Sequence, residues 1–261
     1  MSSEKLTRKE IREPDKFLKF STEFWGKAAQ KQKAIGIGVA VVIGLFLVAA
    51  LVSRSQHKQA NASGGALAEA LDLASRGVEG SFEASGDPDE PRFSTQQQKY
   101  EELSAALDKV RTGHSGTLAA RSATYYFADA QYQLGKYEEA DKAYGDFIGQ
   151  ASAGDPLRVL ALEGRGYVAE SKQDWAKSLE LFEQMSREAT GEPVKARAAY
   201  HRARILAASG KKLEAAEAYQ KLKDDFKEAP AARQAGERLA LLAAEGVKAP
   251  AVQAQAADDK K

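Results

Sequence analysis

The chain has 261 residues, with 38 Lys and Arg against 37 Asp and Glu, three histidines and no cysteine. So even a charge balance excludes a general nucleic-acid binder, whose affinity rests on many uncompensated cations. The missing cysteine excludes a disulfide framework, a Cys-ligated zinc or iron–sulfur centre, a thiol nucleophile and lipidation of an N-terminal cysteine.

Residues 1–33 carry nine Lys/Arg and five Asp/Glu, a basic tail. Phe17, Phe20, Phe24, Trp25 and Ala28 fall on one side of a helix among Lys16, Lys19 and Lys27. That pattern fits a segment lying along lipid headgroups, and equally a disordered tail with an aromatic anchor. Residues 34–52 then read AIGIGVAVVIGLFLVAALV, 19 residues without a polar side chain. As a helix this run spans roughly 28 Å, close to the ~30 Å of a bilayer's hydrocarbon. A buried core helix would need apolar surroundings that no other segment supplies. Lys19, Lys27, Lys31 and Lys33 precede the run, whereas only Arg54 and Lys58 follow closely. The positive-inside rule therefore keeps the tail in the cytoplasm and exports everything after Val52. Tail and run are both long for a cleaved leader, so the expectation is an uncleaved signal anchor. Gly36, Ala40 and Gly44 form a small-residue stripe, a candidate membrane helix contact that a Gly/Ala-rich helix also produces by chance.

Beyond the span the chain repeats itself. Three stretches align, beginning at Gly135, Gln173 and Gly210. An aromatic residue stands two places on in the first two (Tyr137, Trp175), with Lys212 in the third. Each then carries a small residue (Ala140, Ser178, Ala215), an aromatic (Tyr144, Phe182, Tyr219) and a large apolar residue (Phe147, Met185, Leu222). Pro156, Pro193 and Pro230 follow, 37 residues apart both times. The spacing predicts helix–turn–helix units: a turn residue ends one helix, the i, i+4, i+7 stripe buries the next, and proline opens the following one. A degenerate copy precedes them over 53–112, with Tyr100, Leu103, Leu107 and Val110 as its stripe and Ala66–Ser75 as its partner helix. Residues 77–91, rich in Gly, Pro and acidic side chains, are expected to be a flexible loop; their spacing is not that of a calcium loop. The repeat domain is expected over 113–246, with residues 231–245 as a capping helix. The tail 247–261 is Ala/Gln-rich and expected to be disordered.

Residues 117–229 thus resemble the tetratricopeptide repeat. The family's small residue on the first helix of each unit appears as Ala128, Gly166 and Ala203. The pattern departs from the family in its 37–38-residue period, in Phe127, Arg165 and Arg202 where leucine is usual, and in Phe147, Met185 and Leu222 where alanine is preferred. The resemblance implies an all-α solenoid following a single transmembrane helix. It also implies a protein-binding groove on the first helices of the units, formed by Tyr125, Asp129, Tyr132, Glu163, Tyr167, Glu170, Tyr200 and Arg204, with Ala207 at its end. The residues that clamp a C-terminal carboxylate in chaperone-binding members are missing: the matching positions hold Ser122, Tyr126, Leu160, Gly164, Arg197 and His201.

No Walker loop, HExxH or GxSxG motif occurs, and the three histidines lie far apart in sequence (His57, His114, His201). The expectation is a binding protein, not an enzyme, with no metal and no cofactor. The order of segments resembles the YfgM-like family of bacterial inner-membrane proteins, ancillary subunits of the SecYEG translocon. The residues that carry this are Asp15-Lys-Phe17-Leu, the basic flank Lys27–Lys33, the Gly-rich span, the helix at Ala66–Ser75 and the repeats at 135, 173 and 210. The longer tail and the acidic loop depart from that family. The resemblance implies a periplasmic scaffold, anchored in the inner membrane beside the translocon. Its protein partners would be translocon subunits, periplasmic chaperones including a membrane-anchored prolyl isomerase, and exported clients. The alternative is a repeat scaffold of another envelope complex, for division, motility or outer-membrane assembly.

Overall fold

The computed structural model describes residues 32–80 and 91–247, with residues 32–43 and 47 described by backbone alone. The tail before residue 32, the aromatic stripe at 17–28, the side chain of Ala40, most of loop 77–91 and residues 248–261 lie outside the described residues. The chain divides into two units, Met1–Lys58 and Gln59–Lys261.

In the first unit, the described residues belong to helix α1 (Gln32–Ser75). Leu45, Phe46, Val48, Leu51 and Val52 are 50–73% exposed. Among the described residues no helix is long and apolar enough to cross a membrane. The apolar run 34–52 falls on α1, and more than half of it is described by backbone alone.

The second unit holds the end of α1 and eight further helices among the described residues. These are α2 (Gln96–Gly113), α3 (Leu118–Gln133), α4 (Tyr137–Gln150), α5 (Pro156–Ser171), α6 (Trp175–Glu188), α7 (Glu192–Ala208), α8 (Lys212–Asp225) and α9 (Pro230–Ala244). From α2 onward each helix packs on the next, and α3 also meets α5 as α7 meets α9. The helix starts follow local chemistry. Thr95, Thr117, Asp155 and Asp174 cap α2, α3, α5 and α6 through side-chain oxygens that accept backbone N–H bonds. Pro156, Pro193 and Pro230 open α5, α7 and α9, where a missing N–H removes no bond.

The three repeated turns share one geometry. Gly135, Gln173 and Gly210 have φ of 71°, 58° and 85°. After each, the next amide donates back across the turn: Lys136 to Gln131, Asp174 to Ala169 and Lys211 to Leu206, at 2.8–2.9 Å. This six-residue closure requires a left-handed residue, which glycine adopts freely and glutamine does not. Position 173 therefore carries backbone strain that 135 and 210 avoid.

The core falls into four clusters, one at each joint of the stack. Tyr144, Phe147, Phe182, Met185, Tyr219 and Leu222 are each 0–1% exposed. Full burial contributes about 1.5–3 kcal/mol for each such side chain. The rings fit because small residues face them. A methyl group on Gly164 would lie 2.3 Å from Cζ of Tyr144, and one on Gly166 would lie 2.6 Å from Cζ of Phe182. Ser178 donates its hydroxyl to the Gly166 carbonyl at 3.0 Å, which joins α6 to α5. At the first joint Leu103, Leu107 and Val110 of α2 pack with Ala70, and Ala66, Leu67 and Tyr100 lie at its edge.

Two expectations change in detail. The ends of loop 77–91 are fixed: Glu79 N–H donates to the Phe93 carbonyl at 2.9 Å, Phe93 N–H donates to Gly77 at 3.1 Å, and Val78 and Phe93 are buried. The positions that depart from the family's leucine bind the preceding helix instead. Arg111 of α2 stacks on Phe127, Arg165 pairs with Asp141 of α4, and Arg202 pairs with Glu183 of α6.

Two substitutions should move stability in opposite directions in urea unfolding of the full chain. Gln173→Gly should stabilise it by about 0.5–1 kcal/mol through relief of the left-handed strain. Gly164→Ala should destabilise it by about 1–3 kcal/mol, because the added methyl overpacks Tyr144.

Candidate functional site

The first helices of the units, α3, α5 and α7, and the capping helix α9 form one continuous face, joined by side chains one repeat apart. Tyr132 of α3 lies 6.5 Å from Tyr167 of α5 between ring centroids, and its hydroxyl is 3.4 Å from that of Ser171. Arg204 of α7 lies over the Tyr167 ring and forms a two-pronged ion pair with Glu170 of α5, one arm 2.7 Å long. Arg238 of α9 donates to the Tyr200 hydroxyl at 3.4 Å.

The centre of the face is a buried polar cluster. Glu163 accepts from the Tyr167 hydroxyl at 3.1 Å and pairs with Arg197 at 3.0 Å, and its Oε1 lies 3.0 Å from Nε2 of His201. The His201 ring stacks on Phe182, with centroids 4.8 Å apart. Its Nδ1 is buried and has no hydrogen-bond partner among the described residues. Burial pushes the Glu163 carboxyl up, but the His201 bond, the Arg197 charge and the Tyr167 hydroxyl outweigh it, and its pKa falls below the ordinary value. Burial raises the Tyr167 phenol, and the Glu163 charge adds to the rise. The phenol is thus a poorer nucleophile than a free tyrosine, and both carboxylates of α5 are occupied by cations. The arrangement presents charge, hydroxyls and ring faces for binding.

Asp129 differs. It is exposed, and its one described hydrogen-bond donor is the Tyr144 hydroxyl at 2.5 Å. Loss of hydration pushes its carboxyl up; the Tyr144 bond opposes this only in part, and Glu163 adds repulsion. No Lys or Arg among the described residues pairs with it.

Of the sequence-predicted face residues, Tyr125 and Glu163 are buried, each 8% exposed. Tyr125 packs on Tyr126, Tyr144 and Phe147, so it supports the face from behind and offers little surface. Tyr132, Tyr167, Glu170, Tyr200 and Arg204 are half-buried and Asp129 is exposed. Gly44, the member of the small-residue stripe whose surroundings are described, has open space around it. The sequence reading missed Arg238, which lies outside the repeats, and the pairing of Arg197 and His201 with Glu163. Complementary residues 34 or 38 positions apart were the available signal. Among the described residues no group of three or more His, Asp or Glu side chains is placed to hold a metal ion.

No protein-family model and no curated protein matches the sequence. Among solved structures, a kinesin light chain-like protein of Podosopora anserina with nearly identical TPR-like repeats is similar at 18% identity. It matches 57% of this chain and 82% of its own, with a TM-score of 0.48. A singly substituted form of the same protein is 19% identical and matches 57% of this chain and 81% of its own, again with a TM-score of 0.48. The repeat architecture itself stands on this chain's own turns, joints and period.

The two carboxylates should respond to pH with opposite signs. Glu163→Gln should destabilise the chain by about 1–3 kcal/mol at pH 7. The difference should shrink as acid protonates Glu163 in the wild type, below its ordinary range, because a lowered carboxyl stabilises only while ionised. Asp129→Asn should instead stabilise the chain slightly at neutral pH, by at most about 0.5 kcal/mol. That gain should vanish below the ordinary aspartate value of about 3.9, where both folded and unfolded Asp129 are protonated. Urea midpoints between about pH 3 and 8 measure both.

Proposed function

We propose that this chain is a non-enzymatic scaffold, anchored in the bacterial inner membrane by residues 34–52, whose helical repeats face the periplasm and hold partner proteins on the α3–α5–α7–α9 face. The observation that carries it is the pairing of two surfaces in one chain. One is the apolar run on α1, where Leu45, Phe46, Val48, Leu51 and Val52 are exposed; the other is a face of half-buried tyrosines and paired charges. A helix that is apolar all round needs lipid or protein to cover it. The basic excess of residues 1–33 favours their retention in the cytoplasm. Tyrosines on a repeat face supply contact area at low entropic cost.

Within this reading, the order of segments supports a place beside the SecYEG translocon. There the repeats would cooperate with periplasmic chaperones and a membrane-anchored prolyl isomerase in receiving exported proteins. Capture from native membranes in mild detergent tests it. Enrichment of translocon subunits and a periplasmic chaperone supports the placement. Enrichment of a division, motility or outer-membrane assembly complex instead replaces it with that envelope role. Tyr132→Ala with Tyr200→Ala should weaken capture several-fold with the helical circular dichroism unchanged, whereas Tyr125→Ala should cost about 3–5 kcal/mol of stability. Unweakened capture by the double variant overturns the face assignment.

Topology is checked separately, because the chain has no cysteine of its own. Ser115→Cys should react with a membrane-impermeant maleimide in intact spheroplasts. Ser3→Cys should react only after the membrane is opened.

A further inference from the structure

The charges on the repeat face are balanced in the middle and unbalanced at its two ends. Glu163 is answered by Arg197, and Glu170 by Arg204. At the α3 end, Asp129 has no cationic partner among the described residues, and its hydrogen-bond donor is the neutral Tyr144 hydroxyl. At the α9 end, Arg238 is exposed and pairs with no carboxylate within 4 Å among the described residues; its hydrogen bond goes to the neutral Tyr200 hydroxyl, and the charge of its chain neighbour Glu237 is a smaller influence. Beside it a cavity of about 280 Å³ opens among α7, α8 and α9, walled by Arg204, Tyr219, Arg238 and Leu241, with Leu241 56% exposed; the one carboxylate in its wall, Glu245, is answered by Lys212 at 2.8 Å.

We infer that this face binds an extended peptide segment of a partner protein with a fixed polarity of charge. Lys or Arg reaches Asp129, apolar or aromatic side chains lie along Tyr132, Tyr167 and Tyr200, and Asp or Glu reaches Arg238. This rests on the reading of the face as a docking surface and adds which segment it selects. From α3 to α9 there are three helix-to-helix steps of roughly 8–10 Å each. The ends are then about 24–30 Å apart, the reach of eight or nine extended residues at about 3.3 Å. A segment with its two ends unlike in charge meets an opposite charge at both ends. A segment with like ends meets repulsion at one of them. The raised carboxyl of Asp129 agrees with this, since its ionised form lacks a countercharge that a partner's cation would supply.

Three fluorescent nine-residue peptides with one shared apolar–aromatic centre test it against the full chain in neutral-lipid nanodiscs. One has two lysines at one end and two glutamates at the other, one has lysines at both ends, and one has glutamates at both. The unlike-ended peptide should bind about five-fold or more tightly than either of the others, and the preference should shrink as salt rises. Asp129→Asn should remove its advantage over the glutamate-ended peptide. Arg238→Gln should remove its advantage over the lysine-ended one. Equal affinity for the three peptides, a preference that survives both substitutions, or no binding of any peptide overturns the inference. The docking surface itself stands or falls separately, on membrane capture by the Tyr132 and Tyr200 variants.

Discussion

The second unit depends on a contact made at its two central joints: a large ring on the second helix of a unit set against a glycine on the first helix α5. Tyr144 fits because position 164 is glycine, and Phe182 fits because position 166 is glycine. A side chain of ordinary size at either position would force the helices apart. The same rings organise the face from behind. Tyr144 passes Gly164 with its hydroxyl end and donates to Asp129, and Phe182 carries the His201 ring on its own face. Packing and recognition therefore share side chains, so a core substitution at 144 or 182 also disturbs the polar groups in front.

The middle of the face has a structural duty of its own. Helices α5 and α7 are tied across it by Glu163 with Arg197 and His201, and by Glu170 with Arg204. These bonds set the lateral spacing and register of the two helices. Breaking one partner would leave a charge half-buried without its counterion, which is costlier than never having placed it. A paired centre is also neutral toward a ligand, which leaves discrimination to the edges of the surface.

What was legible in the sequence was local. The turns at 135, 173 and 210, the prolines that open helices, and the buried stripes of α4, α6 and α8 each follow from spacing within about ten residues. The sequence placed Tyr125 to Arg204 on the first helices of the units, where α3, α5 and α7 carry them, but not their partners. Glu163 with His201 and Tyr200 with Arg238 are 38 positions apart, and Glu170 with Arg204 is 34 apart. Such pairs depend on how neighbouring units slide against one another, which no single stretch encodes. Tyr125 shows the converse error. Its helical position matched the groove, but three neighbouring rings enclose it, and ring packing across helices is invisible to a periodicity count. Arg165 and Arg202 read as departures from a leucine pattern, and they found carboxylates on the preceding helix instead.

Because every joint has its own cluster and each unit meets mainly its neighbours, the stack has no interior that all units share. Its size can thus change by whole units with little effect elsewhere. Gain or loss of one 37–38-residue block would lengthen or shorten the ruler in front by one helix-to-helix step. That step is roughly 8–10 Å, or about three residues of an extended partner. The length of segment such a chain can measure is therefore quantised, and it is set by the number of units.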